Sequence, residues 1–313
     1  MSFGDVCMRI NLIINDACQL DCAHCCVKGK SKDHLSLDDW KKTYDKLVEV
    51  GDHIHLAGRE PFINTNYTQF IQDNRFTYSA VTNGINLTPD LPDLDKFSRI
   101  AVSWDPYHAQ QFPSYDFGSV PLGASITLTN ENLNDVLDGL WTLNVEHNVF
   151  DAYIAPVIPL TPSVIPDQVP PRMYRAFYDI LIERLQNGTY KGSYILDIKG
   201  PYLDHFRDLP VMTSYPNGWC TLERETHCRA CIHEITVCPD GTVIPCFFCY
   251  TPEYQSYSLG KLPHDEINTI LMRGLQTYRN WNINTAKQCA YDNGCNQCRQ
   301  KCPLWVVTCM GRC

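Results

Sequence analysis

Short β-rich runs alternate with helical patterns from Met8 to about residue 200, and this alternation constrains the fold more than any other feature of the chain. The expected strands are Met8–Asn15, His53–Ala57, Phe76–Thr82, Arg99–Ser103, Leu122–Thr129 and Ala152–Ile158. Helical patterns fall between them, at Leu37–Val50, Tyr67–Asn74, Asp93–Ser98, Leu133–Glu146 and Pro171–Gln186. Leu37, Trp40, Tyr44, Leu47 and Val48 show the i, i+3, i+4 spacing that lines one helical face. Alternation of this kind implies parallel strands joined by crossovers. The expected fold class is α/β, an open or partial (β/α)6 TIM-like barrel with active residues at the C-terminal strand ends. After about residue 205 Cys, Gly, Pro and Asn rise and helical periodicity fades. The expected organisation is a barrel over residues 1–205 and a small Cys-rich domain over 206–313.

The cysteines divide the same way. Five of the 17 lie within the first 26 residues, none lies between Cys26 and Cys220, and 12 lie from Cys220 onward. A chain of 313 residues with 44% hydrophobic residues can bury a core without disulfides, and no basic, then apolar, export signal begins it. Metal or cluster sites on two separate elements are therefore expected. The net charge of -9 gives no reason to expect nucleic acid or a membrane surface as a partner, and no apolar run approaches a membrane span. A cytoplasmic location is the expectation that follows.

Cys18, Cys22 and Cys25 form C-x3-C-x2-C directly after the first expected strand. Zinc sites usually close with four ligands in tight pairs, and ferredoxins supply a fourth Cys nearby. Three thiolates at this spacing can hold three corners of a cubane cluster and leave one iron open to a small molecule. Gly58-Arg59-Glu60-Pro61 follows the second strand, Thr82-Asn83-Gly84 closes the third, and Ser103-Trp104-Asp105 closes the fourth. Alone, each of these segments reads as a turn.

In this order the segments resemble the radical SAM enzymes. The resemblance implies a 4Fe-4S cluster on Cys18, Cys22 and Cys25 that chelates S-adenosylmethionine. Electron injection then cleaves the sulfonium to a 5′-deoxyadenosyl radical, which abstracts hydrogen from strong C–H bonds. His24 fills the position of an aromatic ring beside the adenine. Gly58, Glu60 and Pro61 match the turn that receives the methionyl ammonium, with Arg59 in place of its second Gly. Asn83 and Ser103 are the further cofactor contacts so implied, and Asp105 faces cofactor or substrate.

The C-terminal part resembles the SPASM extension of these enzymes, which carries auxiliary 4Fe-4S clusters. Cys238-Pro-Asp-Gly-Thr-Val-Ile-Pro-Cys246 is similar to its hairpin, and Ser258-Leu-Gly-Lys-Leu262 to a second element. By that likeness Cys228, Cys231, Cys246 and Cys313 hold a first auxiliary cluster. Cys295, Cys298 and Cys309 hold most of a second, with Cys302 and then Cys289 as candidates for its fourth ligand. The ten residues between Cys298 and Cys309 exceed the family's usual spacing. Paired C-x2-C motifs also make zinc sites, and a single auxiliary cluster with loose thiols is another outcome.

SPASM-type enzymes mostly modify peptides or proteins. Phe247 stands where sulfatase maturases carry an Asp base, which argues against that activity. The runs Cys22-Ala-His-Cys-Cys26 and Ser103-Trp-Asp-Pro-Tyr-His-Ala109 are locally most like the YydG-type peptide epimerases. The expected function is a radical SAM maturase of a ribosomally made peptide. Epimerisation is the first candidate, and thioether or carbon–carbon cross-linking follows. Cys249 and Cys26 are candidate hydrogen-donor thiols. The expected partners are a precursor peptide, an electron donor such as flavodoxin or ferredoxin, and a separate leader-binding protein if the core does not read the leader itself. Radical chemistry on a small metabolite is the alternative, and a non-catalytic electron-transfer protein is the alternative of another class.

Overall fold

The computed structural model describes residues 8–22, 25, 27–104, 117, 120–147, 149, 151–157, 167–198, 202, 205–224 and 229–288. Seven strands follow one another as parallel neighbours in a single sheet: β1 (Arg9–Leu12), β2 (His53–Leu56), β3 (Thr77–Thr82), β4 (Phe97–Ser103), β5 (Leu122–Leu128), β6 (Asp151–Pro156) and β7 (Gly192–Ile198). All six expected strands are present, with ends shifted by a few residues. The seventh has Tyr194, Leu196 and Ile198 on its buried face.

Later segments extend this sheet at both edges. A hairpin of β8 (Met212–Tyr215) and β9 (Gly218–Arg224) adds β9 parallel to β7. At the other edge β10 (Glu234–Val237) runs parallel to β1, followed antiparallel by β11 (Thr242–Ile244) and β12 (Gly260–Lys261). The Cys238–Cys246 segment is thus the hairpin its sequence suggests, and it lies beside the first strand. Ile10 and Leu12 of that strand, and Met8 just before it, are buried, and the pairing removes a free strand edge beside them.

Helix α1 (Leu37–Leu47) begins at Ser36, whose hydroxyl accepts from the Asp39 amide at 3.2 Å. Trp40, Tyr44 and Leu47 form its buried face, and the Tyr44 hydroxyl donates to the Phe70 carbonyl at 2.7 Å. Helix α2 (Leu133–Val145) and helix α3 (Pro171–Gln186) link β5 to β6 and β6 to β7. The helical patterns at Tyr67–Asn74 and Asp93–Ser98 resolve into 3-10 segments, Thr65–Phe70 and Leu94–Lys96. Each is hemmed in by turn residues: Asp73, Asn74 and Arg75 in one case, Pro92 and the start of β4 in the other. Helix α4 (Ile267–Gln288) follows β12, and Lys46 of α1 reaches Glu266 before it at 2.8 Å.

The two sheet faces differ. One carries Ile10, Leu12, Ile54, Leu56, Tyr78, Ala80, Ile100, Val102, Ile126 and Ile154, all buried in the main core. The other carries Asn11, His53, His55, Thr77, Ser79, Arg99, Ser125 and Asp151 at alternate positions. Parallel sheets normally bury apolar residues on both faces. A polar second face marks a surface built to meet something other than a helix.

Candidate functional site

Parallel strands bring their C-terminal ends to one edge, and the motif residues meet there. The chain leaves β1 through Ile13 and Ile14 into an irregular loop holding Cys18, Cys22 and Cys25. These three are half-buried and free of disulfides. A turn closes between the last two, where the Cys25 amide donates to the Cys22 carbonyl at 3.0 Å. Burial pushes the Cys25 thiol above its ordinary value, the nearby Cys22 and Cys18 add to that, and the Arg59 guanidinium pulls the other way.

Residues 58–60 are zipped to the start of this loop. Gly58 adopts φ +105°, and a Cβ there would lie 3.0 Å from Ile13 and 3.3 Å from Val27. Only glycine allows so close a pass in this conformation. The Glu60 amide donates to the Ala17 carbonyl at 3.1 Å, and the Asn15 side chain donates to the Glu60 carbonyl at 3.0 Å. Arg59 reaches both ends of the loop, with Nε donating to Asp16 O at 3.0 Å and Nη1 to Val27 O at 2.9 Å.

Glu60 is 2% exposed, and its carboxylate serves as a brace. Oε1 accepts from the Phe62 amide at 2.9 Å and the Thr82 hydroxyl at 2.7 Å, while Oε2 accepts from the Asn83 amide at 2.8 Å. Pro61 is buried and opens the 3-10 turn Pro61–Ile63. Asn83 directs Nδ2 at the Cys18 sulfur, 3.8 Å away, and at Gln19 Oε1, 3.2 Å away. Ser103 ends β4, pairs with Ser125 and is half-buried.

The C-terminal hairpin supports the loop from the outer side. Ile13 and Val27 share a second apolar cluster with Cys238, Ile244, Cys246, Cys249, Tyr250 and Tyr254, and Cys25 packs against it. A Cβ on Gly29 would sit 2.9 Å from the Tyr250 ring, so the loop lies flat on that ring. The Tyr250 hydroxyl donates to Asp16, whose other oxygen accepts from the Ser31 amide at 3.0 Å. Tyr254 continues the network to Asp240 at 3.0 Å. Asp16, Arg59, Gly29 and Tyr250 were not singled out as site residues by sequence. Arg59 showed there only as a departure from a pattern, and the contacts of Tyr250 cross 234 residues of chain.

The Cys246 and Cys249 sulfurs are buried 3.7 Å apart. Cys231 lies in the main core, with its Cβ 3.0 Å from where a Cβ on Gly274 of α4 would stand. His24, Cys26, Asp105, Cys228, Cys295, Cys298, Cys302, Cys309 and Cys313 lie outside the described residues. Among the described residues no three His, Cys, Asp or Glu side chains converge on one ion. A four-iron cluster does not ask for that, because each cysteine binds its own iron. The donor set of Cys18, Cys22 and Cys25, three thiols on one loop with no disulfide and with the Arg59 guanidinium tied to both of its ends, fits such a group.

Along the polar sheet face, His53 and His55 share the Ser79 hydroxyl at 2.8 and 2.7 Å. Arg99 pairs with Asp151 across β5, over Gly123, where a Cβ would lie 2.8 Å from Arg99 Nη2. Asn11 Oδ1 and Arg99 Nη2 are buried and lack hydrogen-bond partners among the described residues. Also among the described residues, no helix is long and apolar enough to cross a membrane.

No protein-family model matches the chain. It is 32% identical over 106 residues to an S-adenosylmethionine-dependent nucleotide dehydratase of Selenomonas ruminantium, a match covering 31% of this chain and 39% of that relative's length. Among solved structures, native anSMEcpe with bound AdoMet superposes with a TM-score of 0.63 at 14% identity, covering 95% of this chain and 89% of the other. Native anSMEcpe with bound AdoMet and Cp18Cys peptide gives 0.61 at 14% identity, covering 87% and 82%. SuiB of Streptococcus suis bound to its precursor peptide SuiA gives 0.55 at 11% identity, covering 78% and 60%. The chain shares the fold of these neighbours.

Proposed function

We propose that the chain is a radical SAM enzyme acting on a ribosomally made peptide. The observation that carries the reading is the convergence at one strand edge of the three-cysteine loop, the Gly58–Glu60 turn and the Asn83 amide on the Cys18 sulfur. Cys18, Cys22 and Cys25 would hold a 4Fe-4S cluster. With S-adenosylmethionine bound, that group supplies a 5′-deoxyadenosyl radical able to abstract hydrogen from a C–H bond.

The residues of the chain position and exclude water. Glu60 fixes the turn to the end of β3, and Asn83 donates toward a thiolate sulfur. The Ile13, Val27 and Tyr250 cluster keeps one side of the loop dry. The polar sheet face, with the spare Asn11 oxygen and the spare Arg99 nitrogen, offers groups to orient a polar substrate. Auxiliary clusters on Cys228, Cys231, Cys246 and Cys313, and on Cys295, Cys298, Cys309 and Cys302, belong to the same proposal. So do a domain division near residue 205, an epimerisation or cross-linking outcome, a flavodoxin- or ferredoxin-like electron donor and a cytoplasmic site of action.

The peptide substrate draws support from neighbours of this fold that were solved with peptides bound. A second reading, chemistry on a nucleotide, draws support from the nucleotide dehydratase relative.

The test is anaerobic reconstitution followed by reductant and S-adenosylmethionine. Release of 5′-deoxyadenosine, abolished by replacing Cys18, Cys22 and Cys25 with Ala, is the expected result. No release from protein fully loaded with iron and sulfide sinks the enzyme reading. Consumption of a nucleotide, with none of a candidate precursor peptide, selects the second reading. In D2O buffer, one solvent deuteron gained by the peptide marks epimerisation, whereas loss of hydrogens marks cross-linking.

A further inference from the structure

Arg59 occupies a position where the resembled turn has glycine, and its side chain is not idle. The loop with Cys18, Cys22 and Cys25 has no regular secondary structure among its described residues, so its shape depends on tethers. Arg59 joins a residue before the first cysteine to a residue after the last, through carbonyl bonds of 3.0 Å to Asp16 and 2.9 Å to Val27. A guanidinium is a planar fork of five donors, suited to holding two acceptors at a fixed separation. Lysine, a point charge on a flexible stem, cannot hold the same pair of acceptors in one geometry.

The charge matters as well as the fork. Among the described residues, the hydrogen bonds of Arg59 go to two neutral carbonyls and to no carboxylate. The guanidinium is half-buried, and the Val27 carbonyl that it holds at 2.9 Å lies 3.9 Å from the Cys25 sulfur, so the cation stands beside the cysteines. An added electron makes a thiolate-bound cluster more negative. A fixed cation nearby lowers the energy of that reduced state, and net charge is among the properties that set cluster potentials.

We propose that Arg59 is a positioning residue for the cluster. Its guanidinium straps both ends of the cysteine loop, and its charge raises the reduction potential of a cluster held by Cys18, Cys22 and Cys25. This rests on the radical SAM reading above.

Two measurements on the full chain test the two halves. In cluster-free protein, hydrogen exchange at the amides of residues 16–27 should speed up at least tenfold in both Arg59→Gln and Arg59→Lys. In loaded protein, an EPR-monitored redox titration follows the signal that disappears when Cys18, Cys22 and Cys25 are replaced by Ala. Arg59→Gln should lower its midpoint, with the reduction equilibrium falling about tenfold, or about 59 mV for one electron. Arg59→Lys should restore most of the midpoint while leaving exchange fast, a split that loss of packing alone does not produce.

Unchanged exchange in both variants overturns the strap, and an unchanged midpoint in Arg59→Gln overturns the charge effect. Wild-type protein that assembles no cluster on the three cysteines overturns the radical SAM reading itself. That failure is visible before any Arg59 variant is made.

Discussion

The side-chain amide of Asn83 lies 3.8 Å from the Cys18 sulfur, aimed at it from the end of a different strand. The Asn83 main chain is in turn fixed by Glu60, 2.8 Å away. The second and third strand ends thus act on the first as one unit.

Replacing Asn83 with Leu keeps the volume and removes the donor. Groups just outside a metal's ligands typically contribute 10–100-fold in affinity or activity. The expected result for Asn83→Leu is cluster loss to a chelator about tenfold faster than wild type, followed by visible absorbance under anaerobic conditions. A wild-type rate would mean that the amide serves Gln19 alone.

Glu60 accepts from the Phe62 amide, the Thr82 hydroxyl and the Asn83 amide while 2% exposed, so its loss should show in stability before it shows in chemistry. In Glu60→Gln a new amide donor must face one of the existing donors. The expected cost is about 2–3 kcal/mol, the range for hydrogen bonds to a charged group, read by urea denaturation of cluster-free protein. Thr82→Val removes only the hydroxyl bond and should cost about 1 kcal/mol. Equal effects from the two variants would contradict the bracing role.

Much of this edge was legible in sequence. Gly58, Glu60 and Asn83 were readable because each follows a run with clear strand character, and parallel strands carry their ends to one place. Arg59 was readable only as an irregularity, since a departure from a pattern does not say where a long side chain goes. The pairing of β10 with β1 was hidden for a different reason. Periodicity is local, whereas Asn11 and Thr236 are neighbours across 225 residues. Asp16 with Tyr250, and Gly29 with the Tyr250 ring, depend on that same long-range pairing. The 3-10 segments at Thr65–Phe70 and Leu94–Lys96 carry helical spacing too short to settle which helix forms, and the turn residues around them decided it.

The buried histidine on the polar face predicts a pH dependence. Burial holds His55 well below its ordinary value of 6.5, and the charges of Arg9, His53 and Arg99 push the same way. Its Nδ1 meets the Ser79 hydroxyl. The unfolded chain therefore takes up a proton near pH 6.5 that the folded chain refuses. Stability is complete above that pH and falls as pH drops below it, by up to about 1.4 kcal/mol per pH unit for one such proton. Urea midpoints at pH 7.5 and 5.5 should show the fall in wild type and a shallower one in His55→Gln. His53, shifted down mainly by its own partial burial, accounts for the slope that remains.

Trp104 follows Ser103 directly and projects against α2 at Gly139, where a Cβ would stand 1.5 Å from its ring. Alanine is the better helix former by about 1 kcal/mol, so on an open helix Gly139→Ala would stabilise. Here the indole has to move, and overpacking of this kind costs about 1–3 kcal/mol. The Trp104 amide is bonded to the Ser125 carbonyl at 2.9 Å, so a displaced ring pulls on the end of β4. Gly139→Ala should lower the urea midpoint and change the tryptophan emission. Adding Trp104→Leu should recover most of the loss by giving the new methyl group room. If Gly139→Ala instead raises stability, the helix lies further from β4 than the contact implies, and Ser103 is not held from that side.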